Sequence, residues 1–141
     1  EVPQELRVSS RQVFIFVQES IRNLGRANTE SGVKMYLEAA IVADSLAQSG
    51  KQSDFSPVTY EMLCQAYSLY EESISDSKVQ LKCVTAMIGT LMACGGLSES
   101  DYESLITKSA QLSAKLVKKP DQCRMVALCA HLFFPVSKEV Q

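Results

Sequence analysis

Few residues of this chain could act as a nucleophile and a base. Cys129 and His131 lie two positions apart, and a thiol beside an imidazole is the usual arrangement of a cysteine nucleophile. On a helix, however, two positions correspond to about 200° around the axis, so these side chains point to different faces. His131 is the only histidine of the chain, so a catalytic triad has no second choice of base. We therefore predict that the chain is not an enzyme and that His131 is a packing or surface residue.

Two sets of side chains could bind a metal ion. The acidic residues Glu99, Asp101 and Glu103 fall in the first turn of a predicted helix, where carboxylates stabilise the helix dipole. The five cysteines have unrelated spacings and form no Cys-x-x-Cys pair of the kind that builds a local zinc site. They are Cys64, Cys83, Cys94, Cys123 and Cys129. We predict no metal and no cofactor, and five reduced thiols of the kind found in cytoplasmic proteins.

Charge and hydropathy argue against two further classes of partner. Fourteen basic and sixteen acidic residues give a net charge of −2, and the longest basic run is Lys118-Lys119. A protein that binds nucleic acid through its phosphates needs a basic surface, which this composition does not indicate. The longest uncharged stretch, from Cys83 to Ser98, is shorter than the ~20 apolar residues that span a bilayer. We predict no nucleic-acid binding and no direct membrane insertion.

The elements that position these residues are predicted to be helices. The chain has 141 residues, of which 46% are hydrophobic and 21% charged, as is typical of one globular domain. Its apolar residues recur every three or four positions, and no long segment alternates with the two-residue period of a strand. The predicted helices cover residues near 8–24, 30–49, 57–74, 77–94, 99–116 and 120–134.

Capping and turn-forming residues set the predicted ends of these helices. Gly25 and Gly50 would end the first and second helices, and Ser56 would cap the third helix ahead of Pro57. Lys118-Lys119 would lie at the C-terminal end of the fifth helix, where cations favour the helix dipole. The first helix would bury a face made of Val13, Phe14, Val17, Ile21 and Leu24.

The spacing of the even-numbered helices indicates a repeat. They begin near residues 30, 77 and 120, in steps of about 47 and about 43 residues, which match the two-helix HEAT repeat of about 40–47 residues. We predict an all-α fold, an α-solenoid of about three HEAT-like helical hairpins with six helices. A compact six-helix bundle is the alternative.

Two regions could contact a partner. The sixth helix is apolar almost all round from Met125 to Phe134, which favours burial on both sides and predicts self-association through this end. We interpret it as the end of an interior repeat of a longer array. Tyr60, Tyr67 and Tyr70 recur at helical spacing and could line a peptide-binding groove, although core packing is the favoured interpretation.

Two long stretches resemble the C-terminal half of the retromer large-subunit family. One runs from Ser68 to Leu81 and continues with Ile88-Gly89-Thr90, and the other runs from Leu116 to Arg124. This chain departs from the family pattern at Cys123, where the family commonly has glycine, and at Phe134, where it usually has tryptophan. The family's Pro-Arg-Leu-Tyr-Leu motif, which anchors the arrestin-like subunit, is absent. Further similarity covers Val13–Gln18, Tyr36–Ala40 and Cys129–Phe133.

This resemblance implies a non-catalytic scaffold of the cargo-retrieval coat on endosomes, in the cytoplasm and peripheral to the membrane. Residues 1–141 would form a single segment of a longer C-terminal solenoid. The implied partners are the small metallophosphoesterase-fold subunit, vacuolar protein sorting-associated protein 29, and the WASH complex.

By family analogy, the even-numbered helices would face the small subunit. The candidate partner contacts are Phe133, Phe134, Tyr67 and Tyr70, although packing of the phenylalanines against a following repeat is the favoured interpretation. Two other functions stay open: another helical-repeat adaptor that binds peptides or proteins, and an all-α enzyme whose site is assembled from distant residues.

Overall fold

Six α-helices make up the chain over residues 8–50 and 55–134, which are the residues that a computed structural model describes. No strand occurs in this part of the chain, so the predicted all-α class and the number of helices are confirmed. The helices are α1 (Ser10–Ala27), α2 (Thr29–Gln48), α3 (Ser56–Ser73), α4 (Ser77–Ala93), α5 (Glu99–Ala114) and α6 (Lys119–Phe133).

Side-chain caps begin four of these helices. Ser9, Asp76 and Ser98 each accept hydrogen bonds from backbone N–H groups in the first turn of the helix that follows. Asn28 serves two helices, because its backbone N–H donates to Leu24 at the end of α1 while its side chain accepts from the N–H of Ser31 in α2. One residue therefore makes the whole turn between α1 and α2.

The helices form two rows. α2 packs against α4, and α4 packs against α6, so the even-numbered helices form one continuous row. The odd-numbered helices form the second row. In this row α1 contacts α3, and α3 is joined to α5 by a hydrogen bond from Tyr67 to Ser109 and an ion pair between Glu71 and Lys108. α2 also packs against α3, and α4 against α5, which closes the core between the rows. This arrangement confirms the predicted α-solenoid.

Gly25 does not end α1, and that prediction was wrong. The helix continues to Ala27, and Gly25 lies buried in its last turns, where it faces Gly32 of α2. A Cβ on Gly32 would lie 2.8 Å from the Cα of Gly25 and 2.9 Å from a methyl group of Leu69 in α3. The two glycines are needed for this close approach of three helices. Gly50, by contrast, follows α2 with φ of 65°, as expected of a glycine that ends a helix.

Two other predicted helix ends were also wrong. Phe55, not Ser56, is the N-cap of α3; its ring is buried 5.5 Å from that of Phe14, and the Ser56 hydroxyl donates instead to the carbonyl of Gly96. The pair Lys118-Lys119 does not end α5, because that helix stops at Ala114 and Lys119 is the first residue of α6. Leu116, in the turn between α5 and α6, is buried in the core.

A buried carboxylate joins two successive hairpins. Asp44 of α2 accepts the N–H groups of Gly95 and Gly96, at 3.1 Å and 2.8 Å, and also a hydrogen bond from Gln48. Because Ser56 donates to Gly96, the turn between α4 and α5 is bound to both α2 and α3. Asp44 therefore sets how one repeat sits on the next.

Candidate interaction surfaces

The thiol and imidazole that could have formed a catalytic pair point apart. Cys129 is buried and lies 3.3 Å from the hydroxyl of Ser113, whereas His131 is exposed in the last turn of α6. Burial raises the pKa of the Cys129 thiol, which disfavours the thiolate that a nucleophile needs. The structure therefore places these two residues on different faces, as the helical spacing predicts.

All five cysteines are free thiols in the structure. Burial raises the pKa of Cys83 to about 11 and that of Cys94 to about 12, so both stay protonated at neutral pH. Glu99 and Asp101 occupy the first turn of α5, as predicted. Across residues 8–50 and 55–134, no three potential metal ligands converge, and no helix has the length and apolar character to cross a bilayer.

Tyr67 and Tyr70 are buried in the core. The Tyr67 hydroxyl lies 2.5 Å from that of Ser109, and burial raises the pKa of Tyr67 and raises that of Tyr70 to about 12. This burial agrees with the core-packing interpretation of the tyrosines. Phe133 and Phe134 are the predicted contact residues that a partner can reach, with exposed fractions of 46% and 79%.

The even-numbered helices carry large apolar side chains on their solvent side. α3 and α5, which the structure describes in full, expose none of comparable size. The even-helix face, as we call the outer side of α2, α4 and α6, therefore contains unpaired apolar anchors. They are Met35, Ile41, Met92, Val126 and Phe133. Val42 is also exposed, but it faces α1.

The first and last helices are covered on one side only. In α1, Phe14 and Ile21 are buried, but Val13 and Leu24 of the predicted buried face are exposed, because α2 and α3 pack against the other side of this helix. An apolar hollow of about 300 Å³ opens between α1 and α2. In α6, Met125, Cys129 and Leu132 are buried, and the apolar residues on the opposite side face solvent.

A groove separates the outer sides of α3 and α5. It has a volume of about 660 Å³, and Lys108 pairs with Glu71 across it at 2.8 Å. We call it the α3–α5 groove. Most of its lining residues carry a hydroxyl, amide or charged group, although more of the accessible lining is apolar than polar, and Tyr60, Cys64, Tyr67 and Leu105 contribute to it. Sequence spacing pointed to these tyrosines, but only the packing of α5 against α3 creates a groove beside them.

A stack of two-helix repeats with apolar side chains exposed at both ends of the described part defines a helical-repeat protein. The chain belongs to the Vps35 family, because the profile described as vacuolar protein sorting-associated protein 35 matches residues 2–141. Membership of this family agrees with the prediction that the chain is not an enzyme.

Individual relatives agree with this assignment. The chain is 36% identical over 137 residues to vacuolar protein sorting-associated protein 35A of Arabidopsis thaliana, an alignment that covers 96% of the chain and 16% of the relative. It is 40% identical over 103 residues to vacuolar protein sorting-associated protein 35 of Schizosaccharomyces pombe, which covers 73% of the chain and 12% of the relative. The chain thus spans less than one fifth of the length of the curated relatives that it matches.

Proposed function

We propose that this chain is a non-catalytic segment of the large scaffold subunit of retromer, the coat that retrieves cargo from endosomes. Membership of the Vps35 family supports a role in protein sorting. The resemblance of Ser68–Leu81 and Leu116–Arg124 supports an origin in the C-terminal half of that subunit. In this role the chain lies in the cytoplasm and associates peripherally with endosomal membranes.

The even-helix face is the proposed binding surface for vacuolar protein sorting-associated protein 29. The observation that carries this proposal is that α2, α4 and α6 expose large apolar side chains while α3 and α5 expose none. In the odd-numbered row such side chains are exposed on α1, the end helix, and they are Val13, Ile15, Phe16 and Leu24. Stable protein interfaces combine a few apolar anchors with a polar rim. On this face Met92 is an anchor, and the ion pair of Lys82 with Glu30, at 3.3 Å, belongs to the rim.

The two ends of the solenoid are proposed to contact further repeats of the same polypeptide. Apolar side chains are exposed on α1 and at the C-terminal end of α6, where Phe134 lies, and the relatives are several times longer than this chain. Phe134 is then a packing residue for a following hairpin, and its exposure causes self-association of the isolated chain. Recruitment of the WASH complex is a further proposed role of the same scaffold.

Binding of the purified small subunit to the 141-residue chain tests this function. We expect binding by calorimetry, and we expect Met92→Asp on the even-helix face to weaken it at least tenfold without lowering the melting temperature. Gln111→Asp on α5 is the matched control, because it adds the same charge to the other row. Equal affinity of both variants, or no binding by a correctly folded chain, would contradict the proposed surface.

A second candidate function is that of another helical-repeat adaptor that binds peptides or proteins. The observation in its favour is the α3–α5 groove, which is open and is lined by polar side chains together with Tyr60. The two functions use opposite rows of helices and are therefore separable by experiment.

A further inference from the structure

We infer that the α3–α5 groove binds a short, extended peptide segment that carries a lysine or arginine side chain. This site is separate from the surface proposed for the small subunit, because it lies between odd-numbered helices. The failure of either proposal therefore leaves the other intact.

The shape of the groove fits an extended peptide. Its α5 wall runs from Ser100 to Gln111, which at 1.5 Å per residue spans about 16 Å. An extended chain rises about 3.3 Å per residue, so this wall matches about five peptide residues. The volume of about 660 Å³ is sufficient for such a segment lying partly in solvent.

The walls offer partners for the backbone of a peptide. Ser68 projects from α3, and Ser104, Thr107 and Gln111 project from successive turns of α5. Hydroxyl and amide groups can both donate to a peptide carbonyl and accept from a peptide N–H. A peptide can therefore enter the groove without leaving its backbone groups unpaired.

The floor of the groove is already held in place. The hydroxyls of Tyr67 and Ser109 are 2.5 Å apart, and the Ser109 hydroxyl donates to the carbonyl of Leu105 at 2.8 Å. The first of these bonds joins α3 to α5 below the groove, and the second, within α5, fixes the direction of the Ser109 hydroxyl. A site held in its binding geometry loses less conformational entropy when a ligand binds.

The charges around the groove favour a basic ligand. At one end Glu71 and Lys108 neutralise each other, whereas Glu103 lines the groove without belonging to either ion pair of the described residues. Burial is the main cause that raises the pKa of the Cys64 thiol, and a hydrogen bond with Tyr60 lowers that pKa. The negative charges of Glu61 and Asp101 raise the same pKa further. The Glu61 carboxylate accepts from Gln18 and Gln65 on the α1 side of α3, so Asp101 and Glu103 are the carboxylates that make the potential negative at the Tyr60 end.

Tyr60 adds a second interaction for a cation. It is half-buried in the wall next to Cys64, and an aromatic face attracts an ammonium or guanidinium group placed over it. A peptide rich in acidic residues would instead meet repulsion from Glu103 and its neighbours. The geometry and the charge thus select the same ligand, a short segment with one basic side chain at the end nearest Tyr60.

Selection from a phage-displayed library of random nonapeptides on the 141-residue chain tests this inference. We expect the enriched sequences to share a lysine or arginine. The affinity of the corresponding synthetic peptides, measured by fluorescence anisotropy, should fall at least tenfold in Ser104→Trp, which fills the groove, and in Glu103→Lys, which reverses its charge. Ser45→Trp and Glu38→Lys make the same changes on the outer side of α2 and should leave the affinity unaltered.

A thiol reporter separates the groove from other binding places. In a Cys123→Ser background Cys64 is the remaining cysteine that is not buried, so a bound peptide should slow its reaction with a maleimide at least fivefold. The inference is overturned if no peptide is enriched on the folded chain, if the enriched peptides lack a basic residue, or if Glu103→Lys leaves binding unchanged. Unprotected Cys64 in the presence of saturating peptide would also overturn it.

Discussion

The two rows of this solenoid share one core but present different outer surfaces. The even-helix face exposes Met35, Ile41 and Met92, whereas α3 and α5 expose polar side chains around the α3–α5 groove. Contiguous exposed apolar patches mark interaction sites, and several large apolar side chains exposed on neighbouring helices favour a binding surface on this row. We accordingly propose that the even-helix face binds a large folded partner and that the α3–α5 groove binds a short peptide segment.

Both surfaces depend on how the repeats are joined, and Asp44 is the strongest test of that dependence. Asp44→Ala removes the acceptor of two backbone N–H groups in a buried turn, and each unpaired group costs about 1–3 kcal/mol. We expect a loss of about 3 kcal/mol in the free energy of unfolding, measured by urea denaturation followed by circular dichroism.

Glu38→Ala is the control for this variant, because Glu38 is an exposed acidic residue of the same helix. Its effect should stay within about 0.5 kcal/mol. If Asp44→Ala cost no more than this control, the turn between α4 and α5 would not be what joins the repeats.

Substitution of two glycines tests the difference between a crowded contact of α1, α2 and α3 and the open even-helix face. Gly32→Ala places a methyl group 2.8 Å from Gly25 and should destabilise the chain by about 2 kcal/mol despite its better helix propensity. Gly89→Ala, in the middle of α4, meets no atom within 4 Å and should stabilise the chain by about 0.5–1 kcal/mol. Thermal unfolding of both variants measures this difference, and equal effects would refute the close packing at Gly25 and Gly32.

Stability should fall as the pH rises above 9, because two core thiols resist ionisation. The pKa of Cys83 is raised from 9.0 to about 11, and that of Cys94 to about 12. The unfolded chain therefore loses these protons first, and the folded state loses stability between pH 9 and about 11 for Cys83 and up to about 12 for Cys94. Denaturant titrations across this range should show the decline, and Cys94→Ala should make it shallower; an unchanged slope would exclude Cys94 as a source.

Phe134 should have the smallest effect on stability in this chain. Its side chain is 79% exposed, so Phe134→Ala should change the free energy of unfolding by less than about 0.5 kcal/mol. Sedimentation should nevertheless show weaker self-association of this variant.

The same substitution in the longer polypeptide distinguishes the two proposed roles of Phe134. A lower melting temperature with intact binding of the small subunit identifies a packing residue for the next repeat. Lost affinity with an unchanged melting temperature identifies a contact of the partner and would contradict packing against a following repeat.

Several features follow from local sequence. The six helices, the repeat spacing and the end at Gly50 depend on residues near one another in the chain, and the structure agrees with all of them. The opposite directions of Cys129 and His131 depend only on the helical period. These features were predictable because the interactions that decide them span only a few positions.

Other features exist only because distant helices meet. Gly25 was expected to end a helix and instead packs against Gly32 and Leu69, and Ser56 was expected to cap a helix and instead bonds to Gly96. No local pattern reveals that Asp44 accepts from a turn about fifty residues away. The tertiary structure decided these because each group takes the partner that burial brings to it, and an unpaired buried group is costly. For the same reason the apolar pattern predicted which helices form, but only their packing in two rows decided which of their faces stayed open.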